Sequence, residues 1–332
     1  MRKQSSLLVV LFAACVALFA ACVPAPVPTT TTTTTTTTIL PDAPVAGDDT
    51  RTTEFNTAVT DGTTRDNDSG TAPLTTNLVT DTTNGTLVLS TDGTYTYTPT
   101  PGFSGNDTFT YTVTDDYSQT SNTATVTITI NPVAASITAG GNHTCALMTD
   151  STARCWGQNT YGQLGNNNTT DSSVPVTVLG PYDTTTALGG IASINAGSNH
   201  TCALITDGTA RCWGQNIYGQ LGNNTTTDSS VPVTVRDPAD TTTALSGIAS
   251  ITAGRDHMCA VMVDHTARCW GRNRYGQLGN NTNTDSSVPV TVLDPADTTT
   301  ALSGIASITP GTYHTCALMT DHTARCWGQN TY

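Results

Sequence analysis

The chain has one lysine, Lys3, one glutamate, Glu54, and only 11 % charged residues among 332. Helical proteins draw heavily on Glu, Lys, Leu and Ala, so this scarcity excludes a mainly helical fold. Positive charge is also short. The formal net charge is −13, and it becomes −15 if Arg2 and Lys3 leave with an N-terminal signal (−13 − 2). A duplex nucleic-acid partner needs a basic face, and none is present, which also argues against direct binding to an anionic membrane surface. Catalytic signatures are missing too. There is no nucleophile elbow with its Ser, His and Asp, no paired glutamates, no Rossmann or Walker glycines and no HExxH, so no enzyme activity is expected. Only one long apolar run exists, Leu7–Ala21, and its fifteen residues are too few to span a bilayer comfortably.

That run follows Arg2 and Lys3 and reads as an export signal over residues 1–22. It carries Leu11-Phe-Ala-Ala-Cys15 and Leu18-Phe-Ala-Ala-Cys22. Small residues before a cysteine resemble the bacterial lipobox, whose Cys is lipidated and becomes the new N-terminus. Cys22 is the expected anchor, since Cys15 leaves too short an apolar region. Ordinary cleavage near Ala25 is the alternative. Residues 23–41 form a linker with ten consecutive threonines, Thr29–Thr38, flanked by prolines. Such a tract has no apolar face to bury and suits a spacer between an envelope anchor and folded domains.

What is abundant is threonine, 73 residues, together with Val, Ile and the turn formers Gly, Asn, Asp and Pro. These suit pleated surfaces and tight turns, so an all-β protein is expected. Residues 42–132 alternate with period two, as in Thr94-Tyr-Thr-Tyr-Thr98 and Thr108-Phe-Thr-Tyr-Thr-Val113. That is the pattern of half-buried antiparallel strands, and several short strands in such a length predict a β-sandwich. Asn84-Gly85 and Asp92-Gly93 are turn signals. The stretches Ala43–Asp49, Asn84–Pro99 and Pro101–Asp115 resemble the bacterial Ig-like, cadherin-like repeat of surface proteins. The resemblance implies an Asp-rich segment, here Arg65–Gly70. The oxygens of Asp66 and Asp68 offer a weak Ca²⁺ site, although the same residues also read as a turn.

Residues 135–332 are a tandem repeat with a period of 57, giving units 135–191, 192–248, 249–305 and the shorter 306–332. Cys145, Cys202, Cys259 and Cys316 mark the period, as do Trp156, Trp213, Trp270 and Trp327. Each full unit reads as four short strands, and radial repetition of four-stranded units is a β-propeller. The second and third strands form a hairpin, His200–Gly214. With a three-residue loop, Thr206-Asp207-Gly208, Ile205 faces Thr209 and Cys202 faces Cys212, with Gly208 in the left-handed position. Ser151, His265 and His322 take that position elsewhere. Facing cysteines come close enough to bond, so four disulfides are expected: Cys145–Cys155, Cys202–Cys212, Cys259–Cys269 and Cys316–Cys326. His-x-Cys-x9-Cys also offers three metal ligands, one fewer than a structural zinc site takes. No cofactor is expected. His143, His200, His257 and His314 are expected to bond between blades, and the tryptophans to pack there.

The strings "HTCAL…ARCWGQNxYGQLG" and "VPVTV" resemble the regulator-of-chromosome-condensation repeat family. The resemblance implies a seven-bladed propeller, of which about three and a half blades lie here, so further repeats are expected beyond Tyr332. The family's nuclear exchange factor lacks the Cys pair, and its activity is not carried over. Protein binding is implied broadly, on the propeller rim. Positions that differ between copies are the informative ones. Arg255, Arg272 and Arg274 all fall in one unit and predict a cationic patch for a carboxylate-bearing partner. The expected function is non-enzymatic: a cell-surface or secreted protein presenting a propeller for protein binding or adhesion. The alternative is a secreted inhibitor of one enzyme, for which Tyr313, Tyr161, Tyr218 and Tyr275 are the rim aromatics.

Overall fold

A computed structural model describes residues 40–330. Among them there are 22 strands and no helix, as the threonine-rich composition demands. The signal region, Cys22 and the threonine linker lie outside the described residues.

Seven strands form the first unit: β1 (Asp49–Thr53), β2 (Val59–Thr63), β3 (Thr75–Thr80), β4 (Gly85–Leu89), β5 (Thr94–Pro99), β6 (Gly105–Thr114) and β7 (Ala124–Ile130). They make two sheets, ordered β1-β7-β6-β3 and β2-β5-β4. Alternation puts Tyr95, Tyr97, Phe109, Tyr111, Val126 and Ile128 into the shared core, while the intervening threonines face out. Two details depart from the sequence reading. β1 pairs parallel with β7, because a chain entering the sheet edge has no hairpin to reverse it. Asn84-Gly85 makes no hairpin turn. It lies where the chain crosses from one sheet to the other, and Asp107 Oδ2 accepts the Asn84 N–H (2.9 Å). Asp92-Gly93 does turn, with Gly93 at φ 88°.

The repeats form separate small sheets, built on β8 (Ala134–Ala139), β9 (His143–Met148), β10 (Ala153–Gly157) and β11 (Ser172–Thr177) in the first blade. The second uses β12 (Ile191–Ala196), β13 (His200–Ile205), β14 (Ala210–Gly214) and β15 (Ser229–Thr234). The third uses β16 (Ile248–Ala253), β17 (His257–Met262), β18 (Ala267–Gly271) and β19 (Ser286–Thr291). The fourth has β20 (Ile305–Pro310), β21 (His314–Met319) and β22 (Ala324–Gly328) among the described residues. The proline strand is the edge strand, where a missing N–H is harmless. The hydrophobic core is a series of joints rather than one centre. Trp213 packs with Cys145, Cys155 and Leu164 of the blade before it, and Trp270 packs with Cys202, Cys212 and Leu221 in the same way.

Candidate binding face

Each blade is held by the same frame. Cys145 faces Cys155, Cys202 faces Cys212, Cys259 faces Cys269 and Cys316 faces Cys326. All four pairs are disulfide-bonded, with Cα atoms 4.1 Å apart. The hairpin loops have three residues, since the Ile205 N–H donates to Thr209 O (2.8 Å) and the Gly208 N–H to Ile205 O (2.9 Å). Gly208, Ser151, His265 and His322 hold the positive φ this turn requires, at 79°, 60°, 63° and 67°. Buried Asn159, Asn216 and Asn273 organise the loops beyond the tryptophans. Asn159 Nδ2 donates to Thr170 O (3.1 Å) while its Oδ1 accepts the Leu164 N–H (2.9 Å). Their recurrence after Trp-Gly was the available signal, and sequence reasoning passed over it.

The joints are polar at one point. Thr201 Oγ1 donates to the Gln163 carbonyl (3.0 Å), and Trp213 Nε1 donates to that same oxygen (2.9 Å). The one Thr201 proton is then used, so His143 Nε2, 2.8 Å away, must be the donor. His257, Thr315 and Gln277 repeat the set, with distances of 2.9 and 2.8 Å. The expectation that every histidine bonds between blades holds at His143 and His257 and fails at His200. Met258 stands where Thr201 and Thr315 stand, so buried His200 has neither ring nitrogen paired. His314 is exposed. Burial holds His143 and His257 down to about 4. Burial, and then the neighbouring histidines, hold His200 down to about 3. At neutral pH each of these rings is therefore uncharged and carries a single N–H.

The three arginines of the third unit do meet on one face, and they do not play one role. Arg272 Nη1 donates to Asp256 Oδ2 (2.9 Å), and its guanidinium lies 4.8 Å from the Tyr218 ring and 5.7 Å from the Tyr313 ring. One arginine is thus held between rings from the second and fourth blades. Its side chain is 18 % exposed and that of Asp256 is 9 % exposed. Burial opposes the Arg272 charge, yet the Asp256 bond and the tyrosines outweigh it and raise its pKa. Arg255 is half exposed; its Nη1 donates to Tyr313 Oη (3.0 Å) and its Nε lies 3.7 Å from Asp256. Arg274 is exposed, 5.8 Å from the Tyr275 ring. Tyr275 and Tyr313 meet edge to face at 5.2 Å. All four arginine–tyrosine stacks and two of the three ion pairs among the described residues fall in this cluster. Arg255 also lines a mouth of about 340 Å³ walled by Gly140, Gly197, Gly254 and Gly311.

Other candidates are placed apart. A larger cavity, about 730 Å³, lies between the third blade and the fourth hairpin, lined by Gly276, Arg325 and Trp327. At the earlier joints the outer strand of the next blade fills this space, pressing Ser230 on Gly162 and Ser287 on Gly219. It is a joint surface, with none of the arginine–tyrosine chemistry. Asp68 Oδ1 accepts from the Gly47 N–H (2.9 Å) and lies 2.9 Å from Tyr111 Oη, while Asp66 is exposed. Among the described residues no group of three or more His, Cys, Asp or Glu is placed to hold a metal ion. Asp68 Oδ1 thus ties the Arg65–Gly70 turn to Gly47 and Tyr111.

Geometry and repeat together define a class: an all-β protein with a cadherin-like sandwich followed by propeller blades of four strands. Residues 41–132 match the bacterial cadherin-like domain. Two models of the regulator of chromosome condensation (RCC1) repeat match 134–163, 191–220, 248–277 and 305–332, and 155–204, 207–261 and 269–318. The chain belongs to the RCC1-repeat family through these blades. It is 30 % identical to the ultraviolet-B receptor UVR8 of Arabidopsis thaliana over 197 residues, 59 % of this chain and 41 % of that one. It is 30 % identical to the human probable E3 ubiquitin-protein ligase HERC4, over 55 % of this chain and 16 % of that one. The chain thus spans well under half of these relatives. Among solved structures it is similar to human WBSCR16 (TM-score 0.47, 16 % identity, 68 % of this chain and 60 % of that one). It is also similar to Prp20p of Saccharomyces cerevisiae (TM-score 0.45, 18 % identity, 67 % of this chain and 56 % of that one), a protein with binding properties to Gsp1p and histones.

Proposed function

We propose that this is an exported, non-enzymatic binding protein whose propeller offers a protein partner the face around Arg255, Arg272 and Arg274. The observation that carries the reading is the Arg272 hub, which joins side chains of three blades at a junction where the repeats diverge. Arg and Tyr are the residue types that concentrate binding energy at protein interfaces. Four disulfides and a bacterial cadherin-like domain are consistent with an extracellular location. Lipidation at Cys22 and a threonine spacer would then hold the domains away from the envelope, with the lipid as the only membrane contact. Adhesion is the role such an arrangement serves.

A second reading, inhibition of one soluble enzyme, is favoured by the gathering of Tyr218, Tyr275 and Tyr313 beside the arginines, a compact aromatic surface that could plug a cleft. One experiment addresses both. A photo-crosslinking residue replaces Ile217 on the rim or Val174 on the outer edge, both exposed, in intact source cells. The proposal expects a crosslinked protein from Ile217 and none from Val174. A partner identified as an envelope or surface protein supports display and adhesion, and a soluble enzyme supports inhibition. Equal crosslinking from both positions, or none from Ile217, overturns the rim as the binding face.

A further inference from the structure

We infer that Arg255 and Arg274, linked by the Tyr313 and Tyr275 rings, form a two-pronged site for the carboxylates of an acidic protein segment. The inference rests on the binding reading above and names its partner class. It starts from what is already occupied. Arg272 lies between two rings with its charge answered by Asp256, so it holds the face together and offers little to a partner. Arg255 uses Nη1 on Tyr313 and sets Nε 3.7 Å from Asp256, which leaves Nη2 on a half-exposed side chain for a partner. Arg274 is exposed and has no carboxylate within ion-pair distance among the described residues. Three arginines against Asp256 and Asp285, the latter accepting the Asn273 N–H (2.6 Å), leave a surplus of positive charge on a small patch of a chain whose formal charge is −13.

Guanidinium forks match carboxylates geometrically, and the Tyr313 hydroxyl and ring fix the position of one prong before binding. A preset prong loses less side-chain freedom when a partner arrives. The choice between an acidic protein and an acidic polysaccharide follows from the tyrosines. Sugar faces stack on flat ring platforms, whereas Tyr275 and Tyr313 meet at 62°, which presents an edge and a face instead. That surface suits peptide backbone and side chains with carboxylates to either side.

The test uses the full chain and two probes of like charge, poly-L-glutamate and polygalacturonate, titrated at low and at physiological salt. Three forms are compared: the native protein, Arg255→Gln with Arg274→Gln, and Arg154→Gln with Arg236→Gln as a charge-matched control away from the face. Poly-L-glutamate is expected to bind the native protein and the control alike, more weakly as salt rises. The face variant is expected to bind at least about tenfold more weakly, with its melting temperature unchanged. Should that variant fail to fold, Arg255→Lys with Arg274→Lys keeps the charge, loses the fork, and is expected to bind at an intermediate level. Loss in the control equal to that in the face variant overturns the inference, as does tighter binding of polygalacturonate. Absence of poly-L-glutamate binding with Ile217 crosslinks intact overturns the acidic class and leaves the binding reading standing. Poly-L-glutamate binding with no crosslinked partner does the reverse.

Discussion

The second and third repeats share their hairpin, disulfide, tryptophan and loop asparagine, and differ at 12 of 57 positions, four of which fall together on the loops around the arginine cluster. Ser198, Asn199, Gln215 and Ile217 of one correspond to Arg255, Asp256, Arg272 and Arg274 of the other. In the second repeat Asn199 Nδ2 reaches Gln215 Oε1 at 3.4 Å, a long neutral contact. In the third the same two positions hold a charge-assisted bond of 2.9 Å. The pair has changed together, which one would expect if each position constrains the other. Repeats that fold alike act as controls for one another. What recurs builds the frame, and what departs from it without disturbing the frame is available for recognition.

The frame should respond equally in both repeats. Trp213→Ala and Trp270→Ala should each cost about 3–5 kcal/mol, as large truncations in a closed joint do, measured by denaturant unfolding. Trp156→Ala should cost clearly less, since Trp156 is only half buried. A large difference between the first two would break the equivalence of the joints.

Acid should act next. The buried histidines have folded pKa values of about 4 and about 3, below the ordinary 6.5. The unfolded chain therefore takes up protons first as pH falls. The stability they provide is complete above pH 6.5 and drains away towards pH 4, by about 3 kcal/mol for each histidine. His200 has no bonded partner and His257 has one, yet burial dominates both, so His200→Asn and His257→Asn should each flatten the pH profile of unfolding. A flattening by His257→Asn alone would mean the hydrogen bond, and not burial, sets the response.

The divergent pair gives a smaller and sharper effect. Arg272→Gln leaves the nearly buried Asp256 with only the longer Arg255 contact (3.7 Å) and should cost about 1–3 kcal/mol. Adding Asp256→Asn recreates the pair of the second repeat and should recover most of the loss, with a coupling of at least about 0.5 kcal/mol in the double-mutant cycle. Additive losses would show that the two side chains are not one unit. Smallest is the contrast at the joint threonine. Thr201→Val removes two hydrogen bonds and should cost about 1–2 kcal/mol, whereas Met258→Leu at the matching position should cost less than about 1.5 kcal/mol.

Much of this was legible in the sequence, for physical reasons. A side-chain period of two and a repeat of 57 residues set the hairpin register, and the register put each cysteine opposite its partner. The left-handed loop position could be assigned because Gly208 fills it in one copy and His or Ser in the others. The arginine cluster was legible as a departure from the repeat. The inward role of Arg272 was not, because Tyr218 and Tyr313 belong to the repeats before and after it and meet it only once the blades pack. The loss of the His200 bond had the same origin: Met258 is an ordinary apolar residue in its own strand, and only the neighbouring blade makes it a missing acceptor. The parallel pairing of β1 leaves no mark at all in alternation, which is blind to strand direction.

The most direct measurement converts the third repeat into the second at the face. Arg255→Ser, Asp256→Asn, Arg272→Gln and Arg274→Ile are combined, and the affinity for poly-L-glutamate is titrated beside the melting temperature. Binding reduced at least about tenfold, with a melting temperature within a few degrees of the native value, is the result predicted if the face lies in the departures from the repeat. Unchanged binding by a folded variant would contradict it and place recognition in the residues the repeats share.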